Sequence, residues 1–189
     1  MNYLVIVNKD NKLDRTYIPD DLVDANSRYK DNVLVRKEVL DSFNRMAMDA
    51  KKDGYDIDIM SGYRDYLYQD KIYNKLVLEK GFAYAFRSIA RAGCSEHQTG
   101  LAIDICIYKD NKCYIEQKIE DMDECKWLED NAYKYGFILR YPRGLEDITG
   151  YNYEPWHYRY IGDEKMAYEI YLKKCSLEEY LEKSCKYTV

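Results

Sequence analysis

Val39, Phe43, Met46, Ala47 and Ala50 recur at the three- and four-residue spacing of a single helical face, and Gly54 follows as a stop. The pattern predicts an amphipathic helix over Val35 to Asp53 that covers one face of a core. Beyond it, YDIDIM sets Ile57 and Ile59 alternately with acids, as a half-buried strand would, and runs into the turn Ser61-Gly62-Tyr63-Arg64. A second helix is expected over Asp65 to Lys80, with Tyr68, Ile72 and Leu76 along its inward stripe and Gly81 at its end. Ala83 to Gly93 has no clean period. LAIDICI, rich in branched apolar residues, reads as a central strand. Trp127, Leu128, Ala132 and Tyr135 mark a third helix closed by Gly136. The strand FILRY, a polar loop holding Gly144 and Gly150, the strand PWHYRYI and two short helices near Asp163 to Leu172 and Leu177 to Lys183 complete the pattern.

The strands are short and lack regular βαβ spacing, and there is no internal repeat, low-complexity tract or linker. That order predicts an α+β fold, a small mainly antiparallel sheet with packed helices, formed by one domain over residues 1–189. A net charge of -5 excludes a general binder of phosphate backbones, so nucleic acid is not an expected partner. Leu4 to Val7 is the only apolar run near the start and is too short for a signal core or a membrane span. The chain is therefore expected to be cytoplasmic, or extracytoplasmic if a leader has been removed. Six cysteines without a CxxC pair point to reduced thiols rather than a cysteine-rich zinc module or a disulfide framework. The 22 tyrosines supply aromatic surface for both core and cleft.

Asp104 lies inside the apolar strand, between Ile103 and Ile105, where an acid is costly to bury unless something positive compensates it. A metal ion or an arginine would serve. His97 precedes it in the glycine-containing turn SEHQTG, and strand alternation turns Asp104 away from its two Ile neighbours, where it could meet that histidine. The only other histidine, His157, falls in EPWHYRY, where alternation sets His157 and Arg159 on one face and Trp156 and Tyr158 on the other. Two histidines and a carboxylate suffice for a three-ligand catalytic zinc site with the fourth position left to water. Glu154 is placed to lie near that water without being a ligand. On spacing alone a second reading stands beside the first: Asp104 paired with Arg64 or Arg91, and Glu154 a solvated loop acid. Cys94 and Cys106 read more readily as small buried hydrophobes than as ligands. Arg64 is either a surface residue or, if it faces the site, a guanidinium suited to a substrate carboxylate or a developing oxyanion.

SEHQTGLAID matches the Ser-x-His-x6-Asp signature, and EPWHYRY the Glu-x-x-His signature, of the zinc D-alanyl-D-alanine carboxypeptidases of the VanY type. These share a metallopeptidase fold group with lysostaphin-like peptidases and the hedgehog signalling domain. SGYR with Gln69, and YGFILRYP…TGYNYEPWHYRYIG, extend the resemblance over roughly Asn2 to Gly162. The leaderless start, GCSEHQTGLAID and the closing SLEEYLEK look closest to the VanXY type, cytoplasmic enzymes of vancomycin-resistance operons with D,D-dipeptidase and D,D-carboxypeptidase activities. The resemblance implies a hedgehog/D,D-peptidase-like fold and Zn2+ held by His97, Asp104 and His157. It also implies Glu154 as general base and then acid, and Arg64, Gln69 and Ser95 as substrate contacts, with Arg64 catalytic as well. The implied partner is the D-Ala-D-Ala dipeptide or a peptidoglycan precursor peptide. Some members carry an acid just before the Gly-Tyr-Arg turn, where this chain has Ser61; such an acid could hold the ammonium of a free dipeptide. Carboxypeptidase activity is thus implied more directly than dipeptidase activity. The competing readings are an L,D-carboxypeptidase, a phage-type L-Ala-D-Glu endopeptidase and a non-catalytic zinc-bearing binding module; the presence of both Glu154 and Arg64 weighs against the last.

Overall fold

The computed structural model describes residues 3–186. A two-stranded antiparallel ribbon, β1 (Leu22–Asp24) with β2 (Leu34–Arg36), leads directly into helix α1 (Lys37–Lys52). The helix begins later than the apolar pattern predicts because Val35 and Arg36 are paired with Val23 and Leu22, and the Arg36 N–H also donates to the Gly100 carbonyl. There follow β3 (Ile57–Ser61), α2 (Tyr66–Lys80), α3 (Phe82–Ser88), β4 (Ala102–Lys109), β5 (Lys112–Tyr114), α4 (Asp123–Asn131) and β6 (Phe137–Leu139). The last elements are α5 (Glu146–Thr149), β7 (His157–Tyr160), α6 (Glu164–Lys173) and α7 (Leu177–Lys186). The main sheet is antiparallel throughout, in the order β3-β4-β7-β6, with β5 folded back on β4. The α+β class is the one the sequence predicts. No helix among the described residues is long and apolar enough to cross a membrane.

Alternation along β4 separates core from site. Ile103, Ile105 and Ile107 join Val39, Phe43, Met46 and Ala50 of α1 and Tyr158 of β7 in one buried cluster, each large side chain contributing about 1.5–3 kcal/mol. Asp104 and Cys106 take the opposite face. A smaller cluster seats Ala167 and Ile170 of α6 and Leu177 and Tyr180 of α7 against Ile138 of β6. Helix α2 is capped by Asp65, whose side chain accepts from the Tyr68 N–H at 2.7 Å, and ends at Gly81. Its inward face is Gln69 and Tyr73 rather than the expected stripe, and Tyr68 is exposed. The helix packs on a polar loop: Gln69 Nε2 donates to the Ala90 carbonyl at 2.6 Å, and Arg91 Nε donates to the Tyr73 hydroxyl at 3.3 Å. Helix α3, for which no period is legible, exposes Phe82, Tyr84 and Phe86 and so has no single apolar face to read.

Strand register positions the site. The β4–β7 pairing sets Asp104 opposite His157, and a bulge between Ile59 and Ser61 brings Ser61 opposite Asp104 on the other flank. Just before β4, the 3-10 turn Glu96–Thr99 ends at Gly100, whose left-handed conformation (φ 69°) swings the chain from His97 into the strand. Gly62 permits a second close approach, because a Cβ there would overlap the Leu34 carbonyl and the Val35 side chain. Gly62→Ala is expected to lower stability by about 1–3 kcal/mol, read as an earlier midpoint in urea unfolding. An unchanged midpoint would mean that the β2 backbone yields freely at this contact.

Candidate active site

The turn and the two strands bring three side chains to one point. His97 Nε2 lies 3.2 Å, and His157 Nδ1 3.1 Å, from Asp104 Oδ1. Ligands bound tetrahedrally to zinc at roughly 2.0–2.1 Å stand about 3.3 Å from one another, so these separations match the edges of a coordination tetrahedron. All three residues are buried, yet His97 Nε2 and Asp104 Oδ1 make no hydrogen bond. Their atoms crowd together without hydrogen-bond alignment, as donors aimed at a common centre do. His97 Nδ1 donates to the Gly62 carbonyl at 2.6 Å, which fixes the tautomer that leaves the Nε2 lone pair available. Two imidazole nitrogens and one carboxylate oxygen are a suitable donor set for catalytic zinc, and among the described residues this is the group with ligand spacing. Cys106 is turned away, its Sγ donating to the Asp58 carbonyl at 3.5 Å.

The electrostatics follow from burial. Desolvation, followed by the charge of Arg64, pushes His97 down to about 4, so the ring is neutral. Burial opposes the charge of His157 too, but the carboxylates of Asp104 and Glu96 that face its two ring nitrogens outweigh it and lift the group to about 9. Burial would raise Asp104, but the positive charge facing it holds the carboxyl well below the ordinary carboxylate range. Among the protein groups alone, then, His157 keeps a proton beside Asp104; a divalent cation at that point would take over the compensation and release the proton. Glu154 Oε2 lies 3.5 Å from His157 Nδ1, and burial raises this carboxyl to about 7 against the pull of His157.

These groups line a cavity of about 170 Å³, together with Arg64 and Ser95. Arg64 Nη2 is 4.0 Å from Asp104 Oδ2, while its Nε is buried without a hydrogen-bond partner. Arg91, the other arginine considered for Asp104, stacks instead near Tyr73 and Phe82. Gln69 is not on the cavity wall; it holds the carbonyl of Ala90, and Ala90 borders the cavity. A larger hollow of about 770 Å³ between α4, β6 and α6 contains none of these groups, and we assign the chemistry to the smaller one. Sequence reasoning passed over Tyr141, Tyr151, Glu116 and Glu96, all of which border the cavity. Glu116 carried no signal. Nor did Glu96: its buried partners, Arg140 just after β6 and Arg159 within β7, are remote from it in sequence.

A family model described as VanY, D-alanyl-D-alanine carboxypeptidase, matches residues 32–163. The bifunctional D-Ala-D-Ala dipeptidase and D-Ala-D-Ala carboxypeptidase VanXYC of Enterococcus gallinarum is 37% identical over 183 residues, 95% of this chain and 94% of its own. Among solved structures, the LdcB LD-carboxypeptidase is 42% identical with a TM-score of 0.84, covering 96% of this chain and 86% of that one. The vancomycin-resistance D,D-pentapeptidase VanY, as a variant in complex with Zn(II), is 32% identical with a TM-score of 0.80, covering 95% and 98%.

Zinc added to the apo protein is expected to bind one ion per chain and raise its melting temperature. In Asp104→Asn and His157→Ala, competition against a chromophoric chelator should show zinc affinity falling by more than the roughly 10–100-fold that losing an outer partner costs. Wild-type affinity in both variants would dismantle this ligand set.

Proposed function

The chain belongs to the VanY family of D-alanyl-D-alanine carboxypeptidases, and from that membership we propose that it is a zinc D,D-peptidase. It removes the last D-alanine from peptidoglycan precursor peptides ending in D-Ala-D-Ala and also splits the free dipeptide, activities we associate with vancomycin resistance. The observation that carries this reading is the convergence of His97, Asp104, His157, Glu154 and Arg64 on one cavity of about 170 Å³. Such a cavity has room for the end of a peptide but not for a folded chain.

Zinc held by His97, Asp104 and His157 supplies Lewis acidity, drawing the pKa of water toward about 7 and polarising a carbonyl. Glu154, half-buried beside His157 and outside the ligand set, takes the proton of the attacking water at its carboxylate and returns it to the leaving amine. Arg64, a cation beside Asp104 whose Nε has no protein partner, stabilises the carbonyl oxygen as it turns anionic. Ser95 on the cavity wall hydrogen-bonds the C-terminal residue of the peptide. Gln69 acts indirectly, by fixing the Ala90 carbonyl at the rim.

The 42% identity to LdcB favours one second reading, an L,D-carboxypeptidase that uses the same groups on a peptide with an L-centre before the terminal D-alanine. D-alanine release from three substrates separates the two: D-Ala-D-Ala, a pentapeptide ending in D-Ala-D-Ala, and a tetrapeptide ending in a single D-Ala. Release from the pentapeptide is expected, falling roughly 10²–10⁴-fold in Glu154→Gln while zinc stays bound. Release from the tetrapeptide alone would move the assignment to L,D chemistry, and release from none would leave a zinc-binding module.

A further inference from the structure

Glu96 is 1% exposed, and its Oε1 accepts hydrogen bonds from two guanidiniums that are themselves buried: Arg140 Nε at 2.8 Å and Arg159 Nη1 at 2.6 Å. Its other oxygen is differently placed. Oε2 is buried without a hydrogen bond and faces His157 Nε2, equally buried and unpaired, at 3.8 Å. Behind Glu96, the two remaining nitrogens of Arg140 donate to both oxygens of Glu178 in α7, at 2.9 and 2.5 Å. Two carboxylates and two guanidiniums thus balance in charge.

An imidazole that presents the Nδ1 lone pair to a metal must carry its hydrogen on Nε2. A buried N–H and a buried carboxylate oxygen that face each other cost free energy while apart and gain it on closing. Less than about 1 Å of closure turns 3.8 Å into an ordinary N–H···O bond. Because Oε1 is saturated by the arginines, the carboxylate has one free direction, and it points at His157. We propose that Glu96 is a positioning residue for His157, and that Glu178, by holding Arg140, makes α7 part of the same device although it lies beyond the matched residues 32–163. The inference rests on the reading of His157 as a zinc ligand.

The test measures zinc affinity by chelator competition, and the visible absorption spectrum after cobalt substitution, in the whole protein. Glu96→Gln should bind zinc roughly 10–100-fold more weakly and shift the cobalt bands; Glu178→Gln should shift both in the same direction by a smaller amount. A purely structural role would lower the melting temperature of the apo protein and leave affinity and spectrum untouched. Unchanged affinity and spectrum in Glu96→Gln overturns the proposal, and the same result in Glu178→Gln removes α7 from it. If Glu96→Gln does not fold, Glu96→Asp, which keeps the charge for the arginines but draws it back from His157, takes its place, and unchanged zinc affinity and cobalt spectrum in that variant overturn the proposal. Failure of the wild type to bind zinc would instead overturn the metal reading on which the inference stands.

Discussion

Burying a carboxylate in the middle of an apolar strand costs several kcal/mol unless opposite charge or a metal meets it, and Asp104 is met from two sides. His157 comes from the adjacent strand in direct register, and His97 from the turn that feeds β4. A slip of one residue between β4 and β7 would carry Asp104 into the core beside α1 and turn the isoleucines toward the cavity. One register therefore serves both purposes: the apolar free energy that holds Ile103, Ile105 and Ile107 inward is what keeps the acid aimed at the histidines.

Charge around the site is arranged in two tiers. The inner tier, His97, Asp104 and His157, is compact and underbonded, with buried polar atoms lacking protein partners. The outer tier, Glu96 with Arg140 and Arg159, is saturated on the side away from the cavity, and Arg159 also ties the backbone carbonyls of Tyr3 and Val5 to the cluster at 2.8 Å. The contrast is informative. Saturated buried charge fixes a framework, whereas underbonded buried polar atoms mark the place where something else binds.

The α+β class and the central strand were legible in the sequence because period and branching agree there, and Asp104 was conspicuous because it broke the pattern. The start of α1 was not, since Leu34 to Arg36 continue the helical stripe and only pairing with β1, a contact remote in sequence, makes them strand. Gln69 lay on a helix that borders a polar loop, where apolar stripes mislead. Glu96 sits next to the conspicuous histidine in a turn where an acid draws no notice; only the fold, by bringing Arg140 and Arg159 to it, shows that it is buried. Local signals reported what each segment is, but not which distant charge it meets.

The pairing of Asp104 with His157 joins residues more than fifty positions apart, and the excursion between them holds β5, α4, β6 and α5. Closing so long a loop is nearly insensitive to its length, since doubling it adds only about 0.6 kcal/mol. Chain can thus be inserted or removed at the exposed turns of this excursion with little thermodynamic consequence, whereas a single residue added to β4 or β7 would separate the acid from the histidine. Evolutionary latitude in this architecture is therefore segregated: freedom of length lies between the two strands, and none lies within them.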